Sequence, residues 1–140
     1  MWKKNLNINV TLQNQEWKVY LDRQRQMDYQ ISRAGWTGDY PDPNTFLDMW
    51  TSWSQQNQTG WADPKYDALI RKASITKDPN ARLEVFQEAE EILMDQLPII
   101  PIYIYTRVYA LHPAVKNWHA NVLDHHPWKH IDLDLSLLKK

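Results

Sequence analysis

The chain has 140 residues, a formal charge of −1 at pH 7, and 43% hydrophobic and 24% charged residues. These proportions exclude a disordered or fibrous chain, and the near-neutral charge offers no basic surface for nucleic acid. The absence of cysteine excludes disulfides, thiolate nucleophiles and cysteine-based metal sites. Only the aromatic content is unusual: eight Trp and seven Tyr supply rings with a polar edge, which suit ligand pockets and interfaces.

The first third of the chain predicts a strand, a helix and a second strand. Residues 6–12 alternate apolar and polar side chains, which is typical of a half-buried strand. Residues 15–27 have helical spacing, with Asn14 as a candidate N-cap. Residues 29–36 resemble a strand and lead into a cluster of turn-forming residues at 35–41.

Three Asp-Pro pairs mark helix starts in the middle of the chain. An Asp N-cap accepts backbone N–H bonds, and Pro at the next position loses nothing because its missing donor would have no intrahelical partner. The predicted helices cover residues 43–54, 64–75 and 79–96. The last has an apolar and an acidic face, so we expect it to cover a sheet.

The last third predicts strands around an irregular segment. The apolar run at 99–111 contains Pro101 and is too short and too interrupted for a helix, so we expect a strand there. Residues 112–130 carry all five His, for which exposed surface histidines are favoured over a metal site. A closing strand is predicted at 131–135. The whole pattern predicts an α/β fold with a mixed sheet and covering helices.

No catalytic motif is present, and the segment from Arg33 to Tyr40 is the strongest candidate for a site. The sequence has no Gly-x-Ser-x-Gly, no phosphate-binding glycine loop and no His-Glu-x-x-His. The glycines of this segment allow close backbone approach, Trp36 supplies a flat wall, and Asp39 can pair with a ligand ammonium. A tight turn with a surface ion pair between Arg33 and Asp39 explains the same residues equally well.

Several segments, in this order and spacing, resemble the C-terminal part of the oligopeptide-binding proteins of ABC importers, which are family 5 extracytoplasmic solute-binding proteins. The resemblance extends from residue 1 to about residue 120. Its segments are Asn14-Gln15-Glu16-Trp17, Leu21-Asp22, Arg33 to Tyr40, the helix at 43–54, Trp61 to Asp67 and Pro98 to Tyr105.

The resemblance implies a fragment of a two-lobed fold of the periplasmic-binding-protein type II kind. Residues 1–105 would belong to the C-terminal peptide-binding lobe, and residues 106–140 would cross the hinge and return along the other lobe. The implied function is non-enzymatic and needs no cofactor: capture of short extended peptides in the periplasm and their delivery to an ABC permease. With half a cleft and apolar surface exposed, the chain is expected to bind poorly and to self-associate.

The resemblance also implies roles for particular residues. Asp39 would receive the α-ammonium of the peptide. Trp17 and Trp36 would form walls of side-chain pockets, and Tyr105 would contact the ligand near the hinge. The residues implied to pair with the ligand main chain are Arg33, Gly35, Trp36 and Thr37.

The sequence departs from the family pattern at three positions, and alternatives remain open. Thr37 replaces a common Cys, while Gln24 and Arg25 stand where basic residues meet the ligand C-terminus in relatives. Trp17 and Tyr105 are equally consistent with packing roles. Other interpretations of the whole chain are the same fold binding an oligosaccharide or another solute, a free-standing Trp-rich interaction module, and a carboxylate-based hydrolase.

Overall fold

The computed structural model of the chain describes residues 1–121 and 123–138. Two compact units are present. Unit 1 comprises Met1–Ala34 with Gln58–Gly60, and unit 2 comprises Gly35–Asn57 with Trp61–Lys140. Among the described residues, no helix has the length and apolar character needed to cross a membrane.

Unit 1 contains two helices, α1 (Trp2–Leu6) and α2 (Trp17–Arg25). The predicted helix at 15–27 is confirmed with shorter bounds, because Glu16 rather than Asn14 accepts the first backbone N–H groups. It ends before Met27, whose left-handed backbone (φ 55°) cannot continue the helix.

The strands predicted at 6–12 and 29–36 are wrong. Residue 6 ends α1, residues 7–16 carry no regular structure, and residues 29–36 form no strand. Alternation of apolar and polar side chains describes a face, whereas a strand also needs a neighbour for its N–H and C=O groups. Within the described part of the chain neither segment has such a neighbour.

Unit 2 is built around the packing of two long helices, α4 (Pro64–Ile75) and α5 (Pro79–Gln96), at the bounds predicted from the Asp-Pro pairs. Asp63 and Asp78 are the N-caps, and their carboxylates accept backbone N–H bonds of the first turn. The buried core is formed by Leu47, Tyr66, Leu69, Ile70, Ala73, Val85, Phe86, Ala89 and Leu93.

The helix predicted at 43–54 is much shorter. It consists of α3 (Asn44–Leu47), continued by a 3-10 turn over Asp48–Trp50. Tertiary hydrogen bonds end it, because the buried carboxylate of Asp67 accepts both the backbone N–H and the hydroxyl of Ser52, at 3.0 and 2.6 Å. Asn57 also donates to the carbonyls of residues 50 and 51, which lie where the helix would have continued.

The sheet of the described residues has two short antiparallel strands, β1 (Val115–Lys116) and β2 (Asp132–Leu133). Val115 pairs with Leu133, and Lys116 pairs with Asp132. The strand predicted at 131–135 is therefore confirmed only at its centre, and a 3-10 helix follows at Leu135–Leu138. The strand predicted at 99–111 is not formed, again because this segment has no strand partner.

The histidine-rich segment is only partly a solvated surface. His119, His125 and His130 are exposed, as expected. His126 is not: its ring stacks on Trp118 with centroids 3.7 Å apart, and its Nε2 lies 2.8 Å from Asp124 Oδ1. Asp124 also pairs with Arg107 at 3.2 Å. His126 therefore has a packing role that spacing alone did not predict.

Candidate functional site

The loop that carries Asp39 is fixed to the start of α3. The backbone N–H of Asp39 donates to the Thr45 hydroxyl at 3.0 Å. A Cβ at Gly38 would lie 3.0 Å from Phe46 Cζ and 3.1 Å from Thr45 Cγ2, so a side chain there would displace these groups by a few tenths of an ångström. Glycine therefore allows the loop to lie close to α3.

A half-buried ion pair holds the other end of this loop. The Arg82 guanidinium of α5 donates to both carboxylate oxygens of Asp42, at 2.6 and 2.9 Å. Arg82 also donates to the carbonyl of Ala73 and lies 4.6 Å from the ring centroid of Phe86. The hydrogen bond from Arg82 holds the pKa of Asp42 below its usual value.

A cavity of about 310 Å³ opens next to Asp39 within unit 2. This volume is at the lower end of the range for small-ligand sites. Carboxylate, hydroxyl and amide groups face it together with two indoles and a thioether. The lining residues are Trp36, Asp39, Tyr40, Thr45, Asp48, Met49, Trp53, Ser54 and Gln56.

The two carboxylates of the cavity have different environments. Asp39 is exposed, and within the described residues its carboxylate accepts no hydrogen bond and forms no ion pair. Asp48 is half-buried and accepts hydrogen bonds from Asn44 Nδ2 at 2.7 Å and from the Tyr40 hydroxyl. Burial, together with the negative charge of Asp39, raises the pKa of Asp48 above its usual value.

Two further predicted site residues of unit 2 lie close to each other. A Cβ on Gly35 would be 3.8 Å from Cε2 of Tyr105, an ordinary contact distance. The Tyr105 ring also lies 4.7 Å from that of Tyr103, measured between centroids, and 58% of Tyr105 is exposed. Tyr105 is therefore not a core residue. Thr37 is exposed in the same loop.

The remaining predicted site residues, Trp17 and Arg33, belong to unit 1. Trp17 is 68% exposed, so it is not buried within this chain, and its ring lies 5.2 Å from that of Tyr20. The Tyr20 hydroxyl donates to the backbone carbonyl of Arg33 at 2.5 Å. A second bond, from Gln24 Nε2 to the Ser32 hydroxyl at 2.9 Å, holds the same segment against α2.

Sequence reasoning missed Asp48 and Trp53. Trp50 and Trp61 pack against the core, whereas Trp53 lines the cavity and also contacts the Arg71 guanidinium, which lies 4.2 Å from its ring centroid. The available signal was the spacing of Thr45, Asp48 and Met49, which lie at i, i+3 and i+4 directly after the loop.

Comparison with known proteins places this site in a family context. Residues 1–58 match the family described as bacterial extracellular solute-binding proteins, family 5 Middle. The periplasmic murein peptide-binding protein MppA of Escherichia coli is 43% identical over 121 residues, which are 86% of this chain and 22% of that protein. The probable deoxycholate-binding periplasmic protein YgiS of the same organism is 40% identical over 114 residues, 81% of this chain and 21% of that protein.

Solved structures agree with the sequence relatives. The crystal structure of Haemophilus influenzae OppA in complex with the peptide RPPGFSPFR aligns with a TM-score of 0.84 and 34% identity over 94% of this chain. The aligned region is 26% of that structure, so the chain spans about a fifth to a quarter of the length of these relatives. The names of these relatives describe binding proteins. The same alignment confirms the predicted fold class of the chain, as a fragment of the fold of such a peptide-binding protein.

Proposed function

This chain belongs to the bacterial extracellular solute-binding proteins of family 5, and we propose that it supplies one wall of the cleft in which such a protein holds a short, extended peptide. The whole protein would act outside the cytoplasm and deliver its ligand to the membrane-spanning subunits of an ABC importer. The names of MppA and of the peptide-bound OppA structure support a peptide ligand.

The observation that carries the proposal is the carboxylate of Asp39. Other acidic groups of unit 2 have a structural partner: Arg82 pairs with Asp42, and Asp63 and Asp67 accept backbone N–H bonds. Asp39 is exposed at the mouth of an aromatic-walled cavity, without a partner in the described part of the chain. A carboxylate so placed suits the α-ammonium of a peptide.

The other predicted residues have supporting roles in this proposal. Arg33, Gly35, Trp36 and Thr37 pair with the main chain of the extended ligand. Trp17 and Trp36 form apolar walls for ligand side chains, and Tyr105 contacts the ligand. Residues 1–105 belong to the peptide-binding lobe, and residues 106–140 cross to the other lobe. Closure of both lobes around the peptide produces the form that the permease recognises.

Replacement of Asp39 by Asn tests the proposal. The change keeps the shape of the side chain and removes its charge, so the affinity for free-amine tripeptides should fall about tenfold or more. The affinity for the same peptides with an acetylated N-terminus should hardly change. Titration of each peptide, followed by NMR of the tryptophan indole N–H signals, measures both affinities even when they are weak. Equal loss for both peptides would contradict the ammonium role.

A second candidate ligand class is a non-peptide solute. The name of YgiS, which indicates a bile-acid ligand for that protein, favours this alternative. Deoxycholate has a carboxylate and no amine, so the Asp39 charge would repel it. Binding of deoxycholate that strengthens in the Asp39→Asn variant would support the alternative.

The isolated chain is also proposed to self-associate. Several apolar side chains of the segment at 99–111 are highly exposed, including Ile102, Ile104 and Val108 at 76, 93 and 93%. Exposed apolar surface of this kind favours association with another chain.

A further inference from the structure

The cavity beside Asp39 carries more negative charge than one ammonium group can balance. Two carboxylates face it, and among the described residues that line it none is basic. The Arg71 guanidinium lies over the Trp53 ring, 4.2 Å from its centroid, and does not form an ion pair with either carboxylate within the described residues. Asp39 and Asp48 therefore repel each other, and binding of the ligand α-ammonium at Asp39 leaves the charge of Asp48 unbalanced.

Asp48 is held in place by neutral groups. Asn44 Nδ2 donates to the Asp48 carboxylate at 2.7 Å and to the Tyr40 hydroxyl at 2.9 Å. The Tyr40 hydroxyl in turn donates to Asp48. These bonds fix the position of the carboxylate without neutralising it. Asp42, six residues earlier, shows the contrasting arrangement, because Arg82 neutralises it through two hydrogen bonds. A half-buried carboxylate without a cation is more costly than one with a cation.

The walls of the cavity suit a long side chain with a charged end. Trp36 and Met49 provide apolar surface on which methylene groups can pack, as the stems of lysine and arginine commonly do. Ser54 and Gln56 also line the cavity and add polar groups that tolerate water.

We infer that this cavity selects peptides whose first residue carries a second cationic group: the α-ammonium binds Asp39, and the side-chain ammonium or guanidinium binds Asp48. This inference rests on the proposed function, since it assumes that a peptide N-terminus lies at Asp39. It assigns Asp48 as a specificity-determining residue for the first ligand side chain.

Three tripeptides test the inference: Lys-Ala-Ala, norleucine-Ala-Ala, which has a similar side chain without the ammonium group, and N-acetyl-Lys-Ala-Ala. Their affinities are measured by titration of the chain labelled with ¹⁵N at tryptophan, with the indole signals of the cavity residues Trp36 and Trp53 as reporters. Lys-Ala-Ala should bind about tenfold more tightly than the norleucine peptide, the ratio expected for one charge-assisted hydrogen bond.

The variants separate the two carboxylates. Asp48→Asn should reduce the ratio of the affinities for the lysine and norleucine peptides from about ten to about one. The variant should still bind a free N-terminus more tightly than an acetylated one. Asp39→Asn should weaken both free-amine peptides by a similar factor and keep the ratio. Asp95→Asn removes a charge from the exposed face of α5 and controls for net charge, so it should change neither preference.

Each alternative result has a definite meaning. Equal affinity of the wild-type chain for the lysine and norleucine peptides overturns the inference, and so does a tenfold ratio that persists in Asp48→Asn. In both cases the proposed function stands if the free-amine peptides still bind more tightly than the acetylated one. Equal binding of the acetylated peptide overturns the role of Asp39, and unchanged indole signals with all three peptides contradict both proposals.

Discussion

Asp39, Asp42 and Asp48 lie in one loop and the short helix after it, yet their surroundings give them different roles. Asp39 is exposed without a partner among the described residues, Asp48 is held by neutral donors, and Asp42 is paired with Arg82. Composition cannot distinguish these three groups, because the partner of Asp42 is 40 residues away in the chain. The difference arises from packing of α5 against the loop.

The Asp42 pair predicts a pH-dependent stability. Its pKa is lowered in the folded chain by the hydrogen bond from Arg82, so the pair stabilises the fold above the unfolded pKa, about 3.9. This contribution is lost as the pH falls through the lower folded value. Asp42→Asn should therefore lower the free energy of unfolding by about 1–2 kcal/mol at pH 7 and by almost nothing at an acidic pH below the folded pKa of Asp42. Urea denaturation at both pH values measures this difference.

A matched control is available on α2. Asp22 pairs with Arg25 at 3.2 Å, but both side chains are about half exposed or more, so Asp22→Asn should cost only a few tenths of a kcal/mol. A loss at pH 7 as small as that of the control, or a loss of equal size at both pH values, would show that the Asp42 pair does not fix the loop through its charge.

At the scale of elements, helices were predicted well and strands poorly. The signals for α4 and α5 are local: an Asp-Pro start and apolar side chains at helical spacing within the same stretch. The strand at 99–111 depends on a partner that the segment itself does not specify. α3 was overestimated because Asp67, distant in sequence, binds the backbone N–H of Ser52.

The same difference explains what could be predicted of the site. The loop with Trp36 and Asp39 was recognisable because its residues are contiguous. Asp48 and Trp53 line the cavity because α3 ends at Leu47 and the chain then turns. Their contribution therefore depended on a helix end that the sequence pattern placed incorrectly.

Loss of the N-cap of α4 is expected to destabilise the fold more than loss of an ordinary cap. Asp63 accepts backbone N–H bonds from Lys65 and Tyr66, and its other oxygen accepts a bond from Gln96 Nε2 at 2.6 Å, at the end of α5. Asp63→Ala should lower the free energy of unfolding by about 1–2 kcal/mol because it removes both the cap and the link between the helices. Asp78→Ala removes one capping bond at the start of α5 and should cost less.

Urea denaturation followed by circular dichroism at helical wavelengths compares the two cap variants. Asp63→Asn is the informative partner, since an Asn side chain still caps and its oxygen can accept a bond. It should recover the capping contribution but not the bond with Gln96, because its one side-chain oxygen accepts from Lys65 and Tyr66 and its amide nitrogen then faces the Gln96 donor. Equal losses for Asp63→Ala and Asp78→Ala would show that the bond with Gln96 contributes nothing measurable.

At the scale of the whole molecule, the chain exposes apolar surface, and its relatives are about four times as long, so they have additional residues that can cover such a surface. It spans 26% of the OppA structure that it matches, and the segment at 99–111 has no strand partner within the described residues. The isolated chain should therefore form dimers or larger species as its concentration rises. Sedimentation velocity over a range of concentrations measures this association.

Charge placed in that segment should prevent the association without loss of the fold. Ile102 and Ile104 are 76 and 93% exposed, so replacing both with Lys removes little packing and puts two like charges where two chains would meet. Leu83→Lys is the control, because Leu83 is a half-exposed apolar residue on α5, outside the segment. If the chain is monomeric at every concentration, or if Leu83→Lys weakens the association as much as the double variant does, the segment at 99–111 is not the contact.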